Sequence, residues 1–270
     1  MYKADLHLHS TASDGLFSPR ELVNKAAALE LDLISLTDHD TTQGLEEAIA
    51  SGKTRAVQVI PGIEFSCEFQ GEEVHILGYQ FEQSCPELQR ILSELKQARQ
   101  NRILEITKRL QALGFKISWR EVRTAATGAS SVGRPHVARV MVEKGYARSR
   151  AEVFRRWLEP GCPGFIKRYK LSPAQAIDAV HGAGGFAFLA HPGLLKEGKG
   201  VAASLLTLGL DGIEVFHTEH SQEQTKEFLR FARENNLFIS GGSDCHGDPE
   251  ESKMGKIIVD TKLLHPWIKD

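Results

Sequence analysis

Short β-rich runs alternate with helical segments along this chain, and the alternation breaks only once, over residues 86–168. Strand candidates fall at 4–8, 33–37, 57–65 and 74–79 before the break, and at 185–190, 212–216 and 237–241 after it. Two of the intervening helices carry start signals, Ser18-Pro19-Arg20-Glu21 and Ser172-Pro173-Ala174-Gln175. Each has an N-cap serine, a proline at the first helical position and an acid or amide three residues after the cap. This βαβα order predicts a largely parallel sheet. The break reads as a long helix from Pro86 followed by shorter ones near 120–126, 136–144 and 150–158, with no convincing strand. The fold class expected is therefore α/β, a barrel built from 1–85 and 169–270 that carries a helical insertion domain over 86–168.

A length of 270 residues would also allow two small domains, so order and not size decides this assignment. With 41% hydrophobic and 25% charged residues the composition excludes a disordered, collagen-like or disulfide-stapled chain. The four cysteines (Cys67, Cys85, Cys162, Cys245) form no CxxC pair. Together with the absence of a signal-like start or a membrane-length apolar run, this suggests a cytoplasmic protein without membrane attachment. The net charge of −2 conceals a partition. Residues 90–170 hold 19 Lys/Arg against 6 Asp/Glu, so an acidic body carries a basic insert.

Histidines and carboxylates cluster at strand ends. His7 and His9 close the first strand, where period-two geometry puts both imidazoles on one face. Asp14 follows in the next loop, Thr37-Asp38-His39-Asp40 ends the second strand, Gly62-Ile63-Glu64 the third, and His75 lies in the fourth. Ala190-His191-Pro192 and Ser243-Asp244-Cys245-His246 follow later strands. One such histidine alone reads as an ordinary hydrogen-bonded or surface residue. In an α/β barrel, however, the C-terminal strand ends converge on one face, so these residues would share a pocket. Six imidazoles and three carboxylates are costly to desolvate together unless cations join them. Mixed His and Asp/Glu ligation suits manganese, zinc or iron.

These motifs, in this order and across both halves of the chain, resemble the PHP (polymerase and histidinol phosphatase) metal-dependent phosphoesterases. The resemblance implies a distorted seven-stranded (β/α) TIM-like barrel and two or three divalent ions, manganese first, with zinc or iron as alternatives. It assigns His7, His9, Glu64 and Asp244 to one ion, and Glu64, His75 and His191 to a second. Asp14, His39 and His246 would hold a third. Gly133-Arg134-Pro135-His136-Val137-Ala138-Arg139 resembles a segment of the subgroup that acts on nucleoside 3′,5′-bisphosphates and, in close relatives, trims RNA from its 5′ end. By that resemblance Arg134 and His136 hold substrate phosphate, with a guanidinium fork and a helix N-terminus as the physical means. The implied reaction is removal of the 3′-phosphate of a bisphosphate by metal-activated hydroxide attacking in line. His217 is a candidate substrate contact and acid.

The partner expected is a small nucleotide or short RNA, with no obligatory protein partner evident. Alternatives are 5′→3′ exoribonuclease action, histidinol-phosphate phosphatase, which leaves the basic insert without purpose, and a non-catalytic nucleic-acid-binding module, against which the full ligand set argues. Taken singly, Arg155, Arg156, Lys167 and Arg168 read as a solvated helix surface. Asp38 and Asp40 read as acceptors orienting His39, or Asp40 as a helix cap. His217 and His220 are placed at the pocket rim, and His181 and His265 away from it. No nucleophile elbow, Walker loop or Rossmann fingerprint is present.

Overall fold

The computed structural model describes residues 3–126, 132–247, 253–257, 259–260, 264 and 267–268. His265 lies outside them. The chain divides into two compact units, Met1–Ile91 with Lys170–Asp270, and Leu92–Tyr169.

The first unit is built on β1 (Lys3–Leu8), β2 (Leu33–Leu36), β3 (Gln58–Phe69), β4 (Glu72–Tyr79), β5 (Phe186–Leu189), β6 (Gly212–His217) and β7 (Phe238–Gly242), with a short β8 (Val259–Asp260) beside β1. Their order is β7-β6-β5-β4-β3-β2-β1-β8. The sheet bends round until β1 meets the chain following β7. His9 N–H donates to Cys245 O at 3.0 Å, and Leu8 and Cys245 pair in parallel. The result is a nearly closed, seven-stranded, distorted (β/α) barrel. Its helices are α1 (Pro19–Ala28), α2 (Leu45–Arg55), α7 (Pro173–Gly182), α8 (Gly198–Leu206) and α9 (Gln222–Glu234). Both predicted start signals are reciprocal caps. Glu21 N–H donates to Ser18 Oγ while Ser18 N–H donates to the Glu21 carboxylate, and Ser172 and Gln175 repeat the exchange.

Within the seven strands of the barrel the departure from parallel order is β4, which runs antiparallel to both β3 and β5, while the short β8 pairs antiparallel with β1 outside them. Only Gln70 and Gly71 separate β3 from β4, and both have positive φ, 51° and 84°. That is the two-residue hairpin geometry, too short for a parallel crossover. One apolar core cluster includes Leu6, Leu33, Leu77, Tyr79, Phe188 and Trp267. The Tyr79 hydroxyl donates to Leu6 O and the Trp267 indole to Ile239 O, so neither buried polar tip is left unpaired.

The second unit contains most of α3 (Pro86–Ala112), then α4 (Trp119–Ala125), α5 (Arg134–Glu143) and α6 (Arg150–Val153), which runs into a π-helical turn at Phe154–Leu158. No strand occurs among its described residues. Ile106, Leu110, Val122, Val137, Met141 and Val153 give it a core of its own. Among the described residues of the whole chain, no helix is long and apolar enough to cross a membrane.

Candidate metal centre

Strand alternation puts His7 and His9 on one face of β1, both fully buried, with ring centroids 5.2 Å apart. Their Nε2 atoms turn toward two carboxylates. His7 Nε2 lies 3.4 Å from Glu64 Oε2 and 3.5 Å from Asp244 Oδ1. His9 Nε2 lies 3.2 Å from each of the same two oxygens. Four donors around a common ion at about 2.0–2.2 Å would be separated by roughly these distances.

A second convergence uses the other Glu64 oxygen. Glu64 Oε1 is 2.8 Å from His75 Nδ1 and 3.1 Å from His191 Nε2, which are 3.2 Å from each other. Because β4 is antiparallel, His75 sits early in its strand, opposite Ser66 and bonded through its carbonyl to Ala190 N. The hairpin thus carries it to the end where the parallel strands finish. A third group gathers round Asp14, whose Oδ1 lies 3.3 Å from His246 Nε2 and whose Oδ2 lies 3.8 Å from His39 Nε2. His39 also joins the centre through Nδ1, 2.9 Å from Glu64 Oε2. The structure therefore brings all nine predicted residues into one constellation, with Glu64 at its middle.

The backbone around these groups is strained. His191 (φ 27°) and Asp244 (φ 52°) are held in the left-handed region, His191 immediately before a proline that disfavours helical conformations. Asp38 fastens the loop bearing Asp14, accepting from Ser10 N at 2.7 Å, Ser10 Oγ at 2.7 Å and Ser13 Oγ at 2.5 Å. This replaces the expected role of orienting His39. Asp40 accepts from Ser66 N, and α2 begins after Gly44, so Asp40 is not its cap.

Electrostatics show what the site requires. Burial pushes the Glu64 carboxyl up, but His75, His39 and His7 outweigh it and hold the group well below the carboxylate range. Burial alone would lower His75, yet Glu64 and Glu73 drive it up to about 10. In this way His7, His9, His75 and His246 hold protons against the neighbouring carboxylates. Among the described residues, His7 Nε2, His9 Nδ1 and Nε2, His39 Nδ1, Glu64 Oε2 and His191 Nδ1 are buried without a hydrogen-bond partner. The unpartnered His7 and His9 Nε2 atoms, turned toward Glu64 and Asp244 oxygens, fit a divalent cation, which would take the place of those protons.

His217 is 2% exposed, inside the pocket and not at its rim, with Nε2 3.7 Å from Asp244 Oδ2. A bulge explains its direction. Between Glu214 and Phe216 the register of β6 against β7 slips by one residue, so side chains 214 and 217 both face inward. His220 is used structurally, donating from Nδ1 to Val215 O and accepting Gly193 N–H at Nε2. His181 is tied to Asp211, which also receives Ala187 N–H.

In the second unit, Arg134 and His136 open α5, with Pro135 in the first turn. His136 Nδ1 accepts Gly133 N–H at 2.9 Å, leaving Nε2 as a donor, and burial lowers the ring's pKa. The Arg134 guanidinium donates to Leu158 O at 3.0 Å and lies over the Phe154 ring. Arg102 is lowered to about 10 by burial and by the neighbouring Arg134, Arg168 and Arg99.

Two carboxylates in this centre went unread in the sequence. Glu73 stands behind His75, 3.4 Å from its Nε2, and is itself gripped by Lys170 at 2.6 Å. Glu214 stands behind His7. The available signal was an acid inside an apolar strand, Gly212-Ile213-Glu214-Val215-Phe216, where a charge is rare unless paired.

A family model for the PHP domain matches residues 5–157. A 5′-3′ exoribonuclease of Haemophilus influenzae is 35% identical over 99% of this chain and 98% of its own. A 3′,5′-nucleoside bisphosphate phosphatase of Chromobacterium violaceum is 34% identical over 98% of this chain and 94% of its own. A solved structure from Bifidobacterium adolescentis, assigned to the metal-dependent phosphoesterases, superposes with a TM-score of 0.80 at 30% identity, covering 97% of this chain and 94% of that one.

Proposed function

The chain belongs to the PHP domain family and is a hydrolytic phosphoesterase, and from that premise we propose that it removes the 3′-phosphate of nucleoside 3′,5′-bisphosphates. His7, His9, Glu64 and Asp244 would hold one divalent ion, Glu64, His75 and His191 a second, and Asp14, His39 and His246 a third. Such ions supply Lewis acidity toward phosphoryl oxygens and a hydrolytic nucleophile at neutral pH. Manganese suits the mixed imidazole and carboxylate set.

The remaining steps belong to the chain's own side chains. His217 Nδ1 accepts Glu219 N–H at 3.2 Å, which leaves its proton on Nε2, the atom facing Asp244. In this reading that proton goes to the departing 3′-oxygen. Arg134 and His136 hold phosphate, the histidine through Nε2–H and the arginine through the charge and fork geometry of its guanidinium. The observation that supports a substrate with a second phosphate is the arginine cluster of the helical unit. Arg99, Arg134 and Arg168 lie near enough to Arg102 to add to burial in lowering its guanidinium, and a dianion would be attracted to such a group of positive charges.

The test is phosphate release by the manganese-loaded protein from adenosine 3′,5′-bisphosphate, with 3′-AMP, 5′-AMP and a short 5′-phosphorylated RNA in parallel. The expected result is conversion of the bisphosphate to 5′-AMP with poor use of either monophosphate. Equal turnover of 3′-AMP would reject the two-phosphate reading. The full-length likeness to an exoribonuclease favours a second reading, stepwise 5′→3′ release of mononucleotides from RNA at the same centre. Release of mononucleotides from RNA, with the bisphosphate left intact, would put that reading first.

A further inference from the structure

Glu214 is buried with no exposed surface, and both its oxygens are committed. Oε1 lies 3.0 Å from His7 Nδ1, and Oε2 accepts the backbone N–H of His191 at 2.7 Å. Those two residues belong to different parts of the barrel, β1 and the turn after β5, and are assigned above to different ions. Neither contact is a generic strand contact. The first engages the far side of the His7 ring, whose Nε2 faces Glu64 and Asp244. The second engages the one backbone donor of a left-handed residue (φ 27°) just past the end of β5.

We propose that Glu214 is the positioning residue of the metal centre, a single carboxylate that sets the tautomer and ring plane of His7 and the backbone pose of His191. The inference rests on the reading of those two histidines as ligands. A carboxylate is an acceptor only, so His7 must present Nδ1–H to it and keep the Nε2 lone pair for the ion. The same acceptor character fixes His191, because a left-handed backbone preceding Pro192 persists only where surrounding bonds over-determine it. The bulge in β6 makes the arrangement compatible with His217, since inward placement of both 214 and 217 needs the extra residue between them.

The discriminating variant is Glu214→Gln. It preserves volume but has one acceptor oxygen where two donors converge. Either the His191 N–H loses its partner, or the amide NH2 faces His7 Nδ1 and drives the proton to Nε2, where it blocks ligation. Manganese affinity should fall by about 10–100-fold, the range for loss of an outer partner of a ligating histidine. Affinity and stoichiometry would be read by chelator competition and metal analysis, beside the melting temperature of the metal-free protein. A carboxylate serving only to bind strands together would lower that melting temperature and leave manganese affinity unchanged, which would overturn the proposal.

Asp244→Asn separates this from failure of the ligand reading. If it too binds manganese like wild type, the ligand assignment falls; if it loses manganese while Glu214→Gln does not, only the positioning role falls. Should Glu214→Gln fail to fold, nitrogen-15 histidine spectra of the zinc-loaded wild type decide the matter. They should show His7 protonated at Nδ1, and an Nε2–H form would sink the proposal without any variant.

Discussion

His75 and Glu64 show how single residues tie this site to pH. In the metal-free protein His75 is raised from an ordinary 6.5 to about 10, so it holds its proton more tightly folded than unfolded. That stabilisation is fully present below 6.5 and is lost as pH rises toward 10. Glu64, lowered from 4.5, contributes stability above that value and loses it as acid protonates the site. Asp5 opposes Glu64, because burial raises it from 3.8 to about 6 and subtracts stability across that interval. The clean signal therefore lies above pH 6.5. Metal ligation needs neutral imidazole, so bound manganese should stabilise more as pH rises through the same window. Melting curves with chelator should move down with alkali while the gap to manganese-loaded curves widens; parallel curves would contradict the account. Of the residues in this balance, His75 and Glu64 were legible in the sequence because they belong to a series of imidazoles and carboxylates at or within successive strands. Glu73 and Glu214 were not, since an acid inside a β-rich run gives no hint of which ring it will back.

At the scale of elements, the strand rhythm made the barrel legible, and two departures from it were hidden. The direction of β4 depends on a two-residue hairpin, Gln70-Gly71, without the usual Asn-Gly or Asp-Gly signal. The β6 bulge depends on pairing with β7, which no local pattern reveals. Both decide which side chains enter the site. Closure of the barrel makes a sharper demand at Gly242, the last residue of β7. A Cβ there would stand 2.4 Å from both the Cβ and the backbone N of His7. The clash is with backbone and cannot be relieved by a rotamer change, so β7 and β1 must part where the first histidine pair begins. Gly242→Ala should cost about 1–3 kcal/mol, the usual range for overpacking a tight core. It should also weaken manganese binding, because His7 moves with its strand. Denaturant titration and chelator competition on one preparation test both, and a loss of stability with unchanged metal affinity would show that His7 does not move.

For the whole molecule the deciding quantity is the division of charge, with 19 Lys/Arg and 6 Asp/Glu in residues 90–170 of a chain whose net charge is −2. Composition made that surplus legible, and Arg134 and His136 were legible as one short motif. The approach of Arg134 and Arg168 to Arg102 was not, because it joins residues far apart in sequence, whereas Arg99 is only one helical turn away. A consequence can be measured without any variant. Adenosine 3′,5′-bisphosphate and 3′-AMP share the 3′-phosphate and differ only in the 5′ one. Added salt shortens the Debye length from about 10 Å at 0.1 M to about 3 Å at 1 M, which weakens long-range attraction more than direct ligation. If the basic unit reads the second phosphate, KM for the bisphosphate should rise several-fold across that range, more steeply than KM for 3′-AMP, while kcat changes little for either. Identical salt slopes would mean that the 5′-phosphate is not read by charge. A slope that steepens with the length of an RNA substrate would instead make the basic unit a strand-binding surface, since each phosphate neutralised adds its own released counterions.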